Sequence, residues 1–448
     1  MLDTEAALAR ALERCGLAAA GAGAAVTMAA RADRFDLAEL GRQATLTGNP
    51  VPALVRALSA LLPPEAAQAV HHGATSQDIL DTAAMLLARQ ALDQILDQMS
   101  DAADSVAALA EAHAGTVMIG RTLLQQAVPV TFGLVAAGWL TGIDDARREL
   151  RRIRTSRLAV QFGGAAGTLA SLRAAGPAVA EMLASELGLA LPVLPWHTER
   201  LRIVELGAAL AAASAVLGKI ARDITLLAQP ELAEVREGAG PAGRGGSSAM
   251  PHKRNPVAAV VILGCTRRVP GLLATLAAAA EQEHQRAAGA WHAEWETLAD
   301  LLRLTGSAAS WSAELLAGLE VDPVRMRANL DAAAGLPMAE HVAAVLAPAL
   351  GRLAAHDLVA EASARAMITG SGLRDALLAD PADAARLGAA GIGPEQLDAA
   401  LDPAEYLGAA AEFVQRALTA HRGFEEGRVD DRRGARRPGH DSRADDRR

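Results

Sequence analysis

Apolar residues recur at helical spacing through long stretches of this chain. Between Pro64 and Pro129 there is no proline, and Ile79, Leu80, Met85, Leu86, Leu92, Ile95 and Leu96 trace the stripe of a long helix. The same spacing predicts helices over 130–158, 201–228, 257–290 and 298–316. The 201–228 stretch would span roughly 40 Å at about 1.5 Å per residue. Such lengths exceed the usual globular helix and suit a long bundle. Several are apolar on more than one face, residues 206–216 for example, and a helix with little polar face must be covered on most sides. For one chain, that predicts neighbours from other subunits. Loops rich in glycine and proline separate the helices. The richest, 237–256, holds Gly238, Gly240, Gly243, Gly245 and Gly246; an aperiodic loop of this size is usually functional.

Composition strengthens the helical reading. Of 448 residues, 51% are hydrophobic but only 2% aromatic, which disfavours sandwiches and barrels and favours helices. The length sets a soft prior of about two to four domains. A net charge of −9 offers no basic field for nucleic acid or a membrane surface. Cys15 and Cys265 are too few for a disulfide framework, so a reducing compartment is expected. The acidic start, Met1-Leu2-Asp3-Thr4-Glu5, lacks the marks of a signal peptide. Charges and glycines interrupt the alanine-rich runs, so no membrane span is expected. The expectation is a soluble, cytoplasmic helical protein. Residues 421–448, with nine arginines, seven acids and little apolar content, read as a disordered charged tail.

Chemistry concentrates in Gly245-Gly246-Ser247-Ser248-Ala249-Met250-Pro251-His252-Lys253-Arg254-Asn255-Pro256. Glycines let the backbone approach a ligand, and two serines precede a cluster of donors and positive charge. Of 43 basic residues only Lys219 and Lys253 are lysine, so a lysine here points to a need for a compact ammonium. Upstream, in residues 71–83, Thr75 and Ser76 can offer hydroxyls and N–H groups to an anion at a helix start, and Asp78 and Asp81 favour that start. The bland alternatives are a capped helix and a flexible connector. No histidine or carboxylate cluster shows ligand spacing, so no metal is expected.

The 245–256 loop resembles the signature of the fumarase/aspartase superfamily. His71–Ala83 and Gly120-Arg121-Thr122-Leu123-Leu124-Gln125-Gln126-Ala127-Val128-Pro129 resemble its other two regions, in the expected order. Pro195-Trp196-His197-Thr198-Glu199-Arg200, Arg286–Trp295 and Asp402–Gly408 look like the 3-carboxy-cis,cis-muconate cycloisomerase branch, which needs no cofactor. The resemblance covers about residues 1–420. It implies an all-α fold of three helical domains with a central long-helix bundle, divided near 1–112, 113–355 and 356–420. It also implies a homotetramer with active sites shared between subunits, and a small tricarboxylate as substrate. Ser247 would move the proton at the α-carbon, with Lys253 and His71 as further catalytic groups. Thr75, Ser76, Arg121, Thr122, Gln125, His197, Arg200, Ser248, Met250, Asn255 and Arg286 would bind substrate, Asn255 and Arg286 also stabilising the developing anion. Amine-releasing relatives carry histidine where Leu123 stands. Leucine cannot protonate a leaving nitrogen, whereas a leaving carboxylate needs no proton. The alternatives are an adenylosuccinate-type lyase and, more distantly, an inactive structural member.

Overall fold

A computed structural model describes residues 1–238 and 244–435, with side chains through Glu426. Gly240 and Gly243 of the glycine-rich loop lie outside the described residues. The chain packs as two compact units. The first is drawn from residues 1–99, 146–218 and 262–310, the second from 100–145, 219–261 and 311 onward. Helices dominate both. The strands form two antiparallel pairs among the described residues.

The long helices are Ser76–Ala112, Phe132–Ser156, Leu201–Leu227 and Ala290–Ala317, each contributing residues to both units. In the first unit, Gly207 lets Leu201–Leu227 come close to Val269–Ala279, since a Cβ there would sit 2.8 Å from Leu276 Cδ1. Ser214 and Thr305 join two of the long helices by a buried hydroxyl pair at 3.0 Å. The N-terminal helix Leu2–Arg14 packs its alanine-rich face on Ala22, Val26 and Leu58. Arg10 and Arg14 both reach Glu186, at 2.7 and 2.8 Å. In the second unit, Trp139 Nε1 donates to Asp223 at 2.8 Å. Short helices gather there around Val342, Leu346, Leu358, Ala362, Leu373, Leu377 and Leu397.

Three expectations need correction. The helix expected over 257–290 is two helices, Val257–Thr266 and Val269–Ala279, followed by a loop. Pro270 stands in the first turn of the second helix, where its missing N–H costs nothing, and Gly289 turns the chain at φ +109° before the next helix. Arg286 therefore lies in a loop, and Trp291 and Trp295 stand in the first turns of the next helix, Ala290–Ala317.

The membrane expectation also changes. Leu201–Leu227 and Val257–Ala279 are long and apolar enough to cross a membrane by length and composition. Only Arg267 and Arg268, at the junction of the two helices, carry charge within 257–279. Just 22% of the most apolar window of Val257–Ala279 is buried, so this surface is largely uncovered within one chain.

Finally, the boundary at 421 is misplaced. The last helix runs Ala410–Ala435 without a break. His421 is buried, its Nδ1 2.9 Å from Asp144 and its Nε2 3.2 Å from Asp104. Contacts to Asp144 and Asp104 fix His421 in place, a signal that composition alone does not carry. Residues 436–448 lie outside the described residues.

Candidate active site

The expected site residues fall into two groups. His71, Thr75, Ser76, His197, Arg200 and Arg286 belong to the first unit; Arg121, Thr122, Gln125, Ser247, Ser248, Met250, Lys253 and Asn255 belong to the second.

The first group surrounds the start of helix Ser76–Ala112. Asp78 Oδ2 accepts the Thr75 N–H at 3.0 Å, a cap that fixes the entry of the helix. Gln77 faces the other way, its Nε2 donating to the His197 carbonyl at 2.8 Å while its Oε1 accepts from Arg286 at 2.9 Å. Arg286 also donates to the Gly164 and Ala165 carbonyls, at 3.2 and 2.6 Å. Burial lowers the Arg286 pKa from its ordinary value, against the pull of Asp78 and Asp81. His71 sits at φ +59°, with its Nδ1 2.8 Å from the fully buried Glu5 carboxylate.

Arg200 requires a correction. It is 2% exposed and donates to Asp81 at 2.7 and 3.2 Å and to Glu294 Oε1 at 3.0 Å. Burial opposes its charge, but Asp81 and Glu294 outweigh this and hold its pKa above the ordinary value. Its donors are committed to protein carboxylates. It organises the site and has no arm left for a substrate. Trp291 Nε1 completes the network by donating to Asp81 at 2.9 Å, and the Arg200 guanidinium lies 4.7 Å from the Trp196 ring.

In the second unit, residues 117–131 form a hairpin, strands Val117–Thr122 and Gln125–Thr131. Its turn is Leu123-Leu124 at φ +52° and +63°, a backbone that two-residue turns normally give to Asn-Gly. Leu123 is 97% exposed and Leu124 75%. Thr122 and Gln125 pair beside the turn, both exposed. Gly120 is required where the register shifts, because a Cβ would sit 2.6 Å from the Val128 carbonyl oxygen. Arg121 departs from expectation: both of its terminal nitrogens engage the fully buried Glu234, at 2.9 and 2.8 Å. It anchors the hairpin.

The signature loop is organised around Ser247. Its Oγ accepts the N–H groups of Ala249 and Met250 at 3.3 and 3.1 Å, donors that favour negative charge on that oxygen. Ser248, Met250 and Lys253 are exposed, and the Lys253 ammonium has no ion-pair partner among the described residues. Asn255 closes the loop, its backbone N–H and Nδ2 both donating to the Gly245 carbonyl at 2.8 and 3.1 Å. That amide nitrogen serves the loop's own geometry, which differs from the expected role as an anion donor. Gly245 stands at φ +75°, and a Cβ there would be 2.7 Å from the Asn255 oxygen.

Sequence reasoning missed Glu5, Glu234 and Glu237. Glu237 caps helix Val257–Thr266 by accepting the N–H groups of Ala258 and Ala259 at 3.2 and 2.9 Å. It also missed one trio of metal-ligating type, Asp144, His421 and Glu425, whose ligand atoms lie within 4.8 Å of one another. Residues 144 and 421 are too far apart in sequence for spacing to reveal it.

A family model described as "Lyase" matches residues 3–271, and one described as "Adenylosuccinate lyase C-terminus" matches 335–417. The chain belongs to the fumarase/aspartase superfamily. Within that superfamily it is 48% identical to a 3-carboxy-cis,cis-muconate cycloisomerase of Bradyrhizobium diazoefficiens, over 93% of this chain and 92% of the relative. It is 47% identical to a nitrosuccinate lyase of Streptomyces davaonensis, over 93% and 89%. The crystal structure of the 3-carboxy-cis,cis-muconate lactonizing enzyme from Pseudomonas putida superimposes with a TM-score of 0.87 at 45% identity, covering 95% of this chain and 94% of that one. All-α architecture is common to the superfamily and to this chain.

Proposed function

We propose that this chain is a cycloisomerase interconverting 3-carboxy-cis,cis-muconate and 4-carboxymuconolactone, in protocatechuate breakdown by the β-ketoadipate route. What carries the reading is identity of 46–48% to cycloisomerases along about nine-tenths or more of the chain, with Ser247 and Lys253 in the loop that resembles the family signature. In the lactonising direction a substrate carboxylate oxygen bonds to the conjugated alkene. The displaced electron pair makes an aci-carboxylate-like anion, which takes a proton at its α-carbon. In reverse, a base removes that proton, the C–O bond breaks and the carboxylate leaves with the pair.

Ser247 is the group assigned to the α-proton. A free serine is a weak base, and the two N–H groups directed at its oxygen, with Lys253 on the same loop, provide the stabilisation such a role demands. Thr75 and Ser76, at the positive end of a long helix, suit a substrate carboxylate. Donors fixed on the developing anion are each typically worth ~10²–10³ in rate. We further assign a cytoplasmic homotetramer; the poorly covered apolar surface of Val257–Ala279 supports its subunit contacts.

Nitrosuccinate elimination is the second reading, favoured by the 47% relative. Nitrite, like a carboxylate, leaves without a proton and so tolerates Leu123. One ultraviolet assay decides: loss of the 3-carboxymuconate diene, run beside nitrosuccinate, adenylosuccinate and argininosuccinate. Turnover of the diene alone supports the cycloisomerase. Turnover of nitrosuccinate alone overturns it.

A further inference from the structure

The last helix, Ala410–Ala435, carries His421 and Glu425 one turn apart on the same face. Asp144, from helix Phe132–Ser156, meets them there. One ligand atom from each of the three lies within 4.8 Å of the other two. His421 and Asp144 are each 6% exposed, and Glu425 is half-buried. All three belong to the second unit.

The His421 ring stands between two carboxylates. Its Nδ1 is 2.9 Å from Asp144 Oδ2 and its Nε2 is 3.2 Å from Asp104 Oδ1. A neutral imidazole has one N–H and one lone pair, and a carboxylate only accepts. One of the two contacts therefore sets a lone pair against an oxygen unless a positive ion lies between them. That ion is either a second ring proton or a metal.

Two observations favour the metal. A proton held between Nδ1 and Asp144 needs no third ligand, yet Glu425 converges on the same corner. Asp104, for its part, stands where the orienting carboxylate of a ligating histidine stands. By accepting the Nε2 hydrogen it fixes the tautomer and turns the Nδ1 lone pair toward Asp144. Asp144 and Glu425 also take part in other interactions. Each carboxylate has two oxygens and about four lone-pair sites, so those interactions leave room for a metal bond.

We propose that His421 Nδ1, Asp144 and Glu425 form a structural site for a divalent metal of the zinc class, with Asp104 as its positioning residue. One imidazole and two carboxylates suit zinc, and a water completes four-coordination. Zinc bonds of about 2.0–2.2 Å set neighbouring ligand atoms roughly 3.4 Å apart. Rotation of the long, half-buried Glu425 side chain closes the present spread to that size. The ion ties the last helix to Phe132–Ser156, and through Asp104 to Ser76–Ala112. None of these residues is among those assigned to substrate.

The test uses the full chain, stripped of metal with a chelator and dialysed, then titrated with zinc. Calorimetry should give one ion per chain. Excess zinc should raise the melting temperature by several degrees, because the ion binds the folded state, and chelator should reverse the rise. Zinc is spectroscopically silent, so cobalt(II) serves as the second probe and should give a visible absorption band. Glu425→Gln keeps both His421 contacts and the side-chain size. It should bind zinc at least tenfold more weakly and lose the cobalt band, while its metal-free melting temperature stays that of the parent chain. Asp104→Asn should weaken zinc binding tenfold or more. A chain stopped after Ala420 should lose the zinc response. A parent chain with neither a melting-temperature rise nor a cobalt band would overturn the proposal, leaving the proton as the ion beside Nδ1. So would Glu425→Gln with the affinity and spectrum of the parent, which would place the metal elsewhere.

Discussion

Glu5 accepts two hydrogen bonds from His71, from its backbone N–H at 2.8 Å and at Nδ1 at 2.8 Å. The carboxylate comes from the first helix, sixty-six residues away in sequence, and is wholly buried. With Nδ1 held, Nε2 is the nitrogen His71 can present to a ligand. Glu5→Gln would put an amide donor against Nδ1 and favour the opposite tautomer. Turnover should fall roughly 10²-fold with little change in the far-ultraviolet circular dichroism. A variant with near-normal kcat would remove His71 from the catalytic set.

Ser247→Ala should abolish turnover while preserving the helical signal. Its Oγ caps two backbone N–H groups locally, so a modest loosening of the loop is also expected, visible as faster proteolysis between residues 244 and 256. Retention of more than about a tenth of activity contradicts a chemical role of general acid–base size.

Lys253→Arg keeps the charge but replaces a compact ammonium with a planar fork. The side chain is exposed and without an ion-pair partner among the described residues, so structural damage from the change should be negligible. A fall in kcat of tenfold or more, with an unchanged melting temperature, is the expected result. Normal turnover would make Lys253 a generic cation.

The helices and the signature loop were legible in the sequence because they are local. Apolar spacing through 76–112 and 201–227 reports directly on which faces are buried, and Ser247 to Asn255 stand within one loop. The pairings that decide what each polar residue does were not legible. Arg121 and Arg200 look like ligand-binding arginines in one dimension, yet Glu234, Asp81 and Glu294 claim them from distant segments. The hairpin at 117–131 was hidden for a different reason. Its turn uses Leu-Leu where local rules call for Asn-Gly, and its second strand contains Pro129.

His421 turns the end of the chain into a structural element. Clamped between Asp104 and Asp144, it ties the last helix to Ser76–Ala112 and Phe132–Ser156. A chain stopped after Ala420 removes the buried His421–Asp144 contact, and a hydrogen bond to a charged group is worth about 1.5–3 kcal/mol. The melting temperature should fall by several degrees, and His421→Ala should reproduce much of that loss. An unchanged melting temperature in both would mean the final helix is tolerated as an appendage.

The Leu123-Leu124 turn puts strain and exposure in the same place. Each non-glycine residue held in the left-handed region costs roughly 1–2 kcal/mol, and here two consecutive leucines bear it while their side chains stand in solvent. Strain of this kind persists where the residue has another duty. Replacing the pair with Asn-Gly should therefore stabilise the hairpin and raise the melting temperature, while lowering kcat/KM for 3-carboxymuconate. Leu123→His separates the chemistry from the shape. A carboxylate leaving group needs no proton, so a histidine at this tip should not accelerate lactonisation. If Leu123→His speeds the reaction, leucine is not a substitute for a dispensable acid. If Asn-Gly leaves kcat/KM intact, the leucines serve the turn alone.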